Sequence, residues 1–249
     1  MAICHKHRQR HADIWQETVT FEAPRYIVDG RFFALPTVQR GSAGVSNASL
    51  GICLTPKAGS SALMRYFFET LVQRGVEMGS SWSACPHAQP ALHGLLLPAT
   101  KSYMVVRHPS MRMMSAFHEV VARKFWLRLP QVAQVANVTF TQAVRAITET
   151  DPMDVNPHFR SLLYMCGILG GRRYEALRFE DWDRLAQTFA SHFAPSQPSL
   201  AFRESGTLER ANRAYTSELA TRVNRWSAPD LTLFHYAPWM PGEAVRWRR

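Results

Sequence analysis

The chain predicts an α/β fold: a parallel sheet with helices on both faces. Three observations predict it. Short strand-like runs at Leu50 to Leu54, Tyr103 to Val106 and Tyr174 to Phe179 are each followed by a segment of helical apolar periodicity. The first two runs stop at a proline turn, Thr55-Pro56 and His108-Pro109, so strand and helix are separate elements. The strands alternate with helices along the chain, which is the pattern of a parallel sheet covered on both faces.

Taken in order, Tyr26 to Leu35 reads as two short strands around Asp29-Gly30, a tight-hairpin pair, and Pro36 to Asn47 is a polar connection. After the strand Leu50 to Leu54, the residues Leu63, Tyr66, Phe67, Thr70 and Leu71 fall on one helical face. After Tyr103 to Val106, Met113, Met114, Phe117, Val120 and Val121 do the same. Thr139 with Gln142 forms a capping box ahead of Phe140, Ala143, Val144 and Ile147. Tyr174 to Phe179 leads into a helix carrying Trp182, Leu185 and Phe189, and Leu208, Ala211, Tyr215, Leu219, Val223 and Trp226 outline one late helix. No internal repeat or low-complexity stretch interrupts the series. A single domain over residues 1–249 follows, with a peripheral segment at 1–48, a core at 49–236 and a basic tail at 237–249.

Hydrophobic residues make up 46% of the 249 residues, enough for a full core, and 19% charged residues exclude a disordered polyelectrolyte. The 29 Lys and Arg exceed the 19 Asp and Glu by 10, which points to an anionic ligand without choosing among nucleic acid, membrane surface and a small phosphorylated molecule. No apolar run reaches the roughly 18 residues needed to span a bilayer. Cys4, Cys53, Cys85 and Cys166 lie far apart without a CxxC pair, which argues against a disulfide scaffold and a zinc knuckle and makes a reducing compartment the expectation. Cys4, His5, His7 and His11 near the start read as a solvated basic arm, and no metal site is expected. The sequons at Asn47 and Asn137 matter only if the chain is secretory.

Two constellations carry chemistry. In Thr55-Pro56-Lys57-Ala58-Gly59-Ser60-Ser61, a strand gives way to a lysine, a glycine and two hydroxyls at the start of a helix. Unpaired N–H groups and a partial positive charge at a helix start favour phosphate, and Gly59 permits close approach. The same residues also fit an ordinary loop in which Ser60 caps the helix. No glycine directly precedes Lys57, so this is not a Walker A loop. The second constellation, Arg107 to Ser115, puts an arginine at the C-terminal end of a strand, where ligands of open α/β sheets gather. Its guanidinium can grip phosphate in a fork, and Ser115 can add a hydrogen bond. A nucleoside triphosphatase would carry a magnesium-binding aspartate on such a neighbouring strand; here Arg107 stands there instead.

These residues resemble the PAPS-dependent sulfotransferases, and most of all the carbohydrate sulfotransferase type 2 family. Pro56 to Ser61 is similar to the family's 5′-phosphosulfate loop, and Arg107, Pro109, Arg112 and Ser115 match its 3′-phosphate motif R-x-P-x-x-R-x-x-S. Weaker likeness continues through Asn156 to Arg160 and Cys166, Tyr174 to Asp181, and Asp230 to Tyr236, with Phe159 where the family has Trp and Leu162 where Gln is common. The resemblance implies a P-loop NTPase-like sulfotransferase fold and transfer of a sulfuryl group from 3′-phosphoadenosine-5′-phosphosulfate (PAPS) to a hydroxyl or nitrogen of a small molecule or glycan, releasing PAP. Lys57, Ala58, Gly59, Ser60, Ser61, Arg107 and Ser115 are then the donor-binding set, with Arg203 as a late phosphate contact. No metal is required, since the transferred group carries less charge than a phosphoryl group. Lys57 is the residue that offsets charge on the departing oxygen.

A hydroxyl acceptor also needs a base. His87, in the loop-like stretch Cys85 to His93, is the first candidate, His93 lies beside it, and His158 is the rival; Glu69 and Glu77 are weaker. His108 and His118 read as neighbours of the Arg107 motif rather than bases. A cytoplasmic location is expected, or the Golgi lumen if an anchor precedes the chain. Two other classes fit parts of the pattern: a nucleotide-dependent kinase, and a basic nucleic-acid-binding module, although no zinc-finger or RNP pattern is present.

Overall fold

In the computed structural model the described residues are 31–36, 49–59, 63, 101–122, 137–166, 168, 173–192 and 206–247. A four-stranded sheet runs in the order β1 (Arg31–Pro36), β2 (Ser49–Leu54), β3 (Lys101–Val106), β4 (Glu175–Arg178). Strands β2, β3 and β4 are parallel, in register Leu54 with Val105 and Val105 with Leu177. The α/β class with a parallel sheet therefore holds. One edge departs from it: β1 pairs antiparallel with β2, Arg31 opposite Leu54 and Pro36 opposite Ser49. Only the second half of the expected Asp29-Gly30 hairpin is thus seen, and it pairs across the 37–48 connection; the first half, at Tyr26 to Val28, lies outside the described residues.

Both faces of the sheet are buried because β3 offers side chains to each in turn. Met104 and Val106, with Cys53, meet Leu162, Met165, Leu231, Phe234 and Tyr236. Tyr103 points the other way, its ring edge-on to Phe189 at 6.3 Å. A helical layer builds a second core: α1 (Pro109–Ala122), α2 (Phe140–Thr148), α4 (Thr207–Ala214) and α5 (Ser217–Trp226) interdigitate Met114, Val144, Ile147, Ala211, Leu219, Val223 and Trp239. The remaining helices are α3 (Trp182–His192) and α6 (Ala228–Leu233). None of the described helices is long and apolar enough to cross a membrane.

Several local readings hold. Thr139 caps α2 reciprocally with Gln142, its hydroxyl accepting from the Gln142 N–H at 3.3 Å while Gln142 Oε1 accepts from the Thr139 N–H at 2.9 Å. The single late helix does not hold. Tyr215 is extended at φ −81°, ψ 132°, and ends α4, and the Thr216 hydroxyl accepts from the Leu219 N–H to start α5. The apolar stripe misled because both short helices turn the same side to one core.

Part of the basic tail at 237–249 is held to the body of the chain. Trp239 is 1% exposed, its indole N–H donates to Glu243 O at 2.9 Å, and Asn224 brackets its backbone. Tyr236 and Trp247 form a β-bridge, and Arg178 lies 5.6 Å from both rings.

Two buried ties join distant segments. Asp230, 1% exposed, accepts from Ser161 Oγ at 2.6 Å and the Leu162 and Leu163 N–H groups at 3.0 and 3.2 Å. Arg112 Nη2 lies 3.9 Å from Asp230 Oδ2 and donates to the carbonyls of Phe159, at 3.1 Å, and Arg160. Burial pulls Arg112 down to about 10, against the opposing Asp230 charge. The second tie is a disulfide between Cys53 and Cys166, with Cα atoms 6.2 Å apart. The spacing of the cysteines, read as arguing against a disulfide scaffold, gave no sign of this pair. Their 113-residue separation in sequence hides a pairing that forms because β2 and the segment after Leu162–Tyr164 share one face of the sheet.

Candidate functional site

The loop after β2 is pinned before it turns. Thr55, fully buried, donates its hydroxyl to Val105 O at 2.7 Å, so the ends of β2 and β3 are held side by side. The Ala58 N–H then closes a turn on Thr55 O, and the Leu63 N–H bonds Gly59 O at 3.0 Å. Within the turn Lys57 and Gly59 adopt left-handed φ values of 66° and 75°. Glycine is required at 59 for a second reason: a Cβ there would lie 2.4 Å from Phe179 Cε2. Phe179 is the residue on which Arg107 stacks.

Arg107, at the end of β3, is 7% exposed. Its guanidinium carbon sits 4.7 Å from the Phe179 ring centroid, and Nη1 donates to Lys57 O at 3.1 Å. The lysine turn and the arginine corner are therefore one site. Arg107 Nε is buried with no hydrogen-bond partner among the described residues. Burial lowers the Arg107 pKa, Glu180 opposes that shift, and the charge of Arg210 adds to it. Glu180 in turn accepts from the His108 N–H at 2.9 Å and the Tyr236 hydroxyl at 2.8 Å; burial pushes its carboxyl up against Arg107 and these two donors. Buried guanidinium nitrogens with no hydrogen-bond partner among the described residues also occur on Arg112 and Arg178, so what sets Arg107 apart is its place at the end of β3 against the lysine turn.

His108 organises the start of α1. Its Nδ1 accepts from the Ser110 N–H at 3.2 Å, which leaves the Nε2 proton to donate to Ala237 O at 3.0 Å. The ring is fully buried and neutral, and desolvation pulls its pKa to about 4. The unfolded imidazole binds its proton near 6.5, so the unfolded chain takes up more protons between these values. This contribution is complete above pH 6.5 and is lost as pH falls toward 4, reaching about 3 kcal/mol at the acid end. Unfolding midpoints measured from pH 7.5 to 4.5 should fall with acid, and His108→Asn should flatten the slope. An equal slope in both proteins would refute the assignment.

Further along α1, Ser115 and Glu119 lie one turn apart on one face. Lys57 Nζ reaches this face in an ion pair with Glu119 Oε2. Exposed His118 stacks edge-on with Phe117, and burial together with Arg210 lowers its pKa. Among the described residues no group of three His, Cys, Asp or Glu could hold a metal ion.

The expected site residues divide accordingly. Lys57, Ala58, Gly59, Arg107 and Ser115 are described; Lys57 and Arg107 meet directly, and Lys57 also reaches the helix face that carries Ser115. Ser60, Ser61, His87, His93 and Arg203 lie outside the described residues. His158 bonds Asn156 Oδ1 through Nδ1 at 2.9 Å, and its segment is tied to α1 through Arg112. Sequence reasoning overlooked Glu119, Phe179 and Arg210. The four-residue step from Ser115 to Glu119 was the one available signal; nothing local marks the other two. Compared with known proteins, the chain matches no family model, no curated protein and no solved structure.

Proposed function

We propose that the chain is a PAPS-dependent sulfotransferase of P-loop-like α/β architecture, moving a sulfuryl group to a hydroxyl or nitrogen of a small molecule or glycan. The observation that carries the reading is the junction of Lys57 and Arg107, in which a buried guanidinium with an orphan N–H holds the carbonyl of the lysine turn. One donor with phosphate at both ends fits two joined cationic pockets better than two separate anions do. On this reading the 5′-phosphosulfate lies over residues 57–61, and Arg107 with Ser115 takes the 3′-phosphate. The acceptor oxygen attacks sulfur in line, the bond from sulfur to the bridging oxygen breaks, and PAP leaves with the charge that Lys57 offsets. The acceptor proton passes to a base, for which His87 is the first choice and His158 the second.

The kinase reading is weaker because Arg107, a cation, ends the strand beside β2 where a magnesium ligand is needed. A nucleic-acid-binding module predicts strongly salt-dependent affinity for polyanions of any sequence. Titrating the protein with PAP, with ATP plus magnesium, and with a mixed oligonucleotide at one fixed salt concentration tests all three. Micromolar or tighter affinity for PAP alone is expected; preference for either other ligand rejects the reading.

Of the two compartments, the Cys53–Cys166 bond supports an oxidising lumen over the cytoplasm. Alkylation before reduction of protein from its native source should leave this pair unlabelled. Labelling of both cysteines would return the assignment to the cytoplasm.

A further inference from the structure

We propose that Glu119 is a built-in placeholder for the donor anion: its carboxylate pairs with Lys57, and an incoming phosphate group must compete with it. The chemical class of ligand is a phosphoric or phosphosulfuric anhydride; its identity as PAPS and the placing of the donor along the Ser115 face both rest on the sulfotransferase reading.

Lys57 is held at both ends. Its carbonyl accepts from Arg107 Nη1 at 3.1 Å, and its ammonium pairs with Glu119 Oε2. Its left-handed backbone, at φ 66°, is costly for a residue with a Cβ and persists where surrounding contacts over-determine it. The pair is neither buried nor free, with side-chain exposures of 18% for Lys57 and 24% for Glu119. Both side chains therefore keep some contact with solvent. Glu119 also lies one turn beyond Ser115 on the same face of α1, so its carboxylate stands on the surface assigned to the donor. An ammonium has three donors and can satisfy two acceptors, but a carboxylate left beside it repels a second anion. Glu119 thus lowers donor affinity and gives Lys57 a defined position before the donor arrives.

Glu119→Gln keeps the shape and removes the charge. Lys57 reactivity reports the effect on the full chain: brief acetylation followed by peptide mass spectrometry gives the concentration of inorganic pyrophosphate, or of PAP, that half-protects the amine. The expected result is half-protection at about fivefold lower concentration of either anion in Glu119→Gln, the scale of a partly exposed ion pair. As a control by binding, Glu119→Gln should raise PAP affinity less in a Lys57→Gln background than in the wild type, because competition for the ammonium is then gone and only the repulsion between carboxylate and phosphate remains to be relieved.

Equal midpoints in the wild type and Glu119→Gln, with PAP protecting both, overturn the placeholder and leave the donor reading standing. A fivefold shift with pyrophosphate, but PAP no tighter than pyrophosphate, supports the placeholder and rejects the donor. No protection by either anion in either protein rejects both. If circular dichroism shows Glu119→Gln unfolded, Glu119→Asp, which withdraws the carboxylate by one methylene, must shift the midpoints in the same direction or the proposal falls.

Discussion

On the proposed function, Arg107→Ala is expected to lower affinity for PAP by about a hundredfold or more, the cost of losing two charge-assisted hydrogen bonds to phosphate at about 1.5–3 kcal/mol each. The effect is large because the guanidinium is already desolvated, stacked on Phe179 and fixed to the lysine turn, so little ordering remains to be done on binding. Glu180 keeps the His108 N–H and the Tyr236 hydroxyl as donors but loses its buried charge partner, so the variant is also expected to lose stability and its folding is checked before binding is read. Arg107→Lys restores charge but neither the planar fork nor the flat stack, and should recover no more than about a tenth of the lost affinity. Calorimetry at fixed ionic strength, with circular dichroism to show that the variants fold, checks both. Unchanged affinity in Arg107→Ala removes the basis of the proposed function.

Asp230→Ala costs about 3–5 kcal/mol of folding stability, because it strands a buried cation and several donors at once. The carboxylate collects Ser161 Oγ and the Leu162 and Leu163 N–H groups, and Arg112 stands 3.9 Å away. Asp230→Asn keeps one acceptor oxygen and should lose about half as much. Urea unfolding at neutral pH measures the difference through the midpoint, with the slope unchanged. A loss below about 1 kcal/mol in Asp230→Ala would mean that solvent or a neighbour satisfies these groups on removal of the carboxylate. The same variant loosens the His158 segment, which Arg112 holds to α1 by way of Phe159 and Arg160.

What could be read without coordinates was local. A capping box needs only residues three apart, so Thr139 and Gln142 declared the start of α2, and a strand between breakers needs only its own run, so β2, β3 and β4 declared themselves. The break at Tyr215 and Thr216 escaped because hydrophobic period reports which side faces the core and is silent on whether the backbone is continuous. Arg112 shows the same limit from the other side. It belongs to the R-x-P-x-x-R-x-x-S pattern with Arg107 and Ser115, yet it serves the interior, gripping carbonyls and approaching Asp230.

The residue types and their order established an α/β chain with a lysine turn after one strand and an arginine after the next, since side-chain chemistry and short-range period are properties of the string itself. Only tertiary structure decided that these two corners share a contact, that Phe179 supplies the floor beneath Arg107, that Glu119 answers Lys57, and that Cys53 finds Cys166. Each joins residues far apart in sequence, and such encounters depend on how strands pair and helices pack, which no window of neighbouring residues encodes.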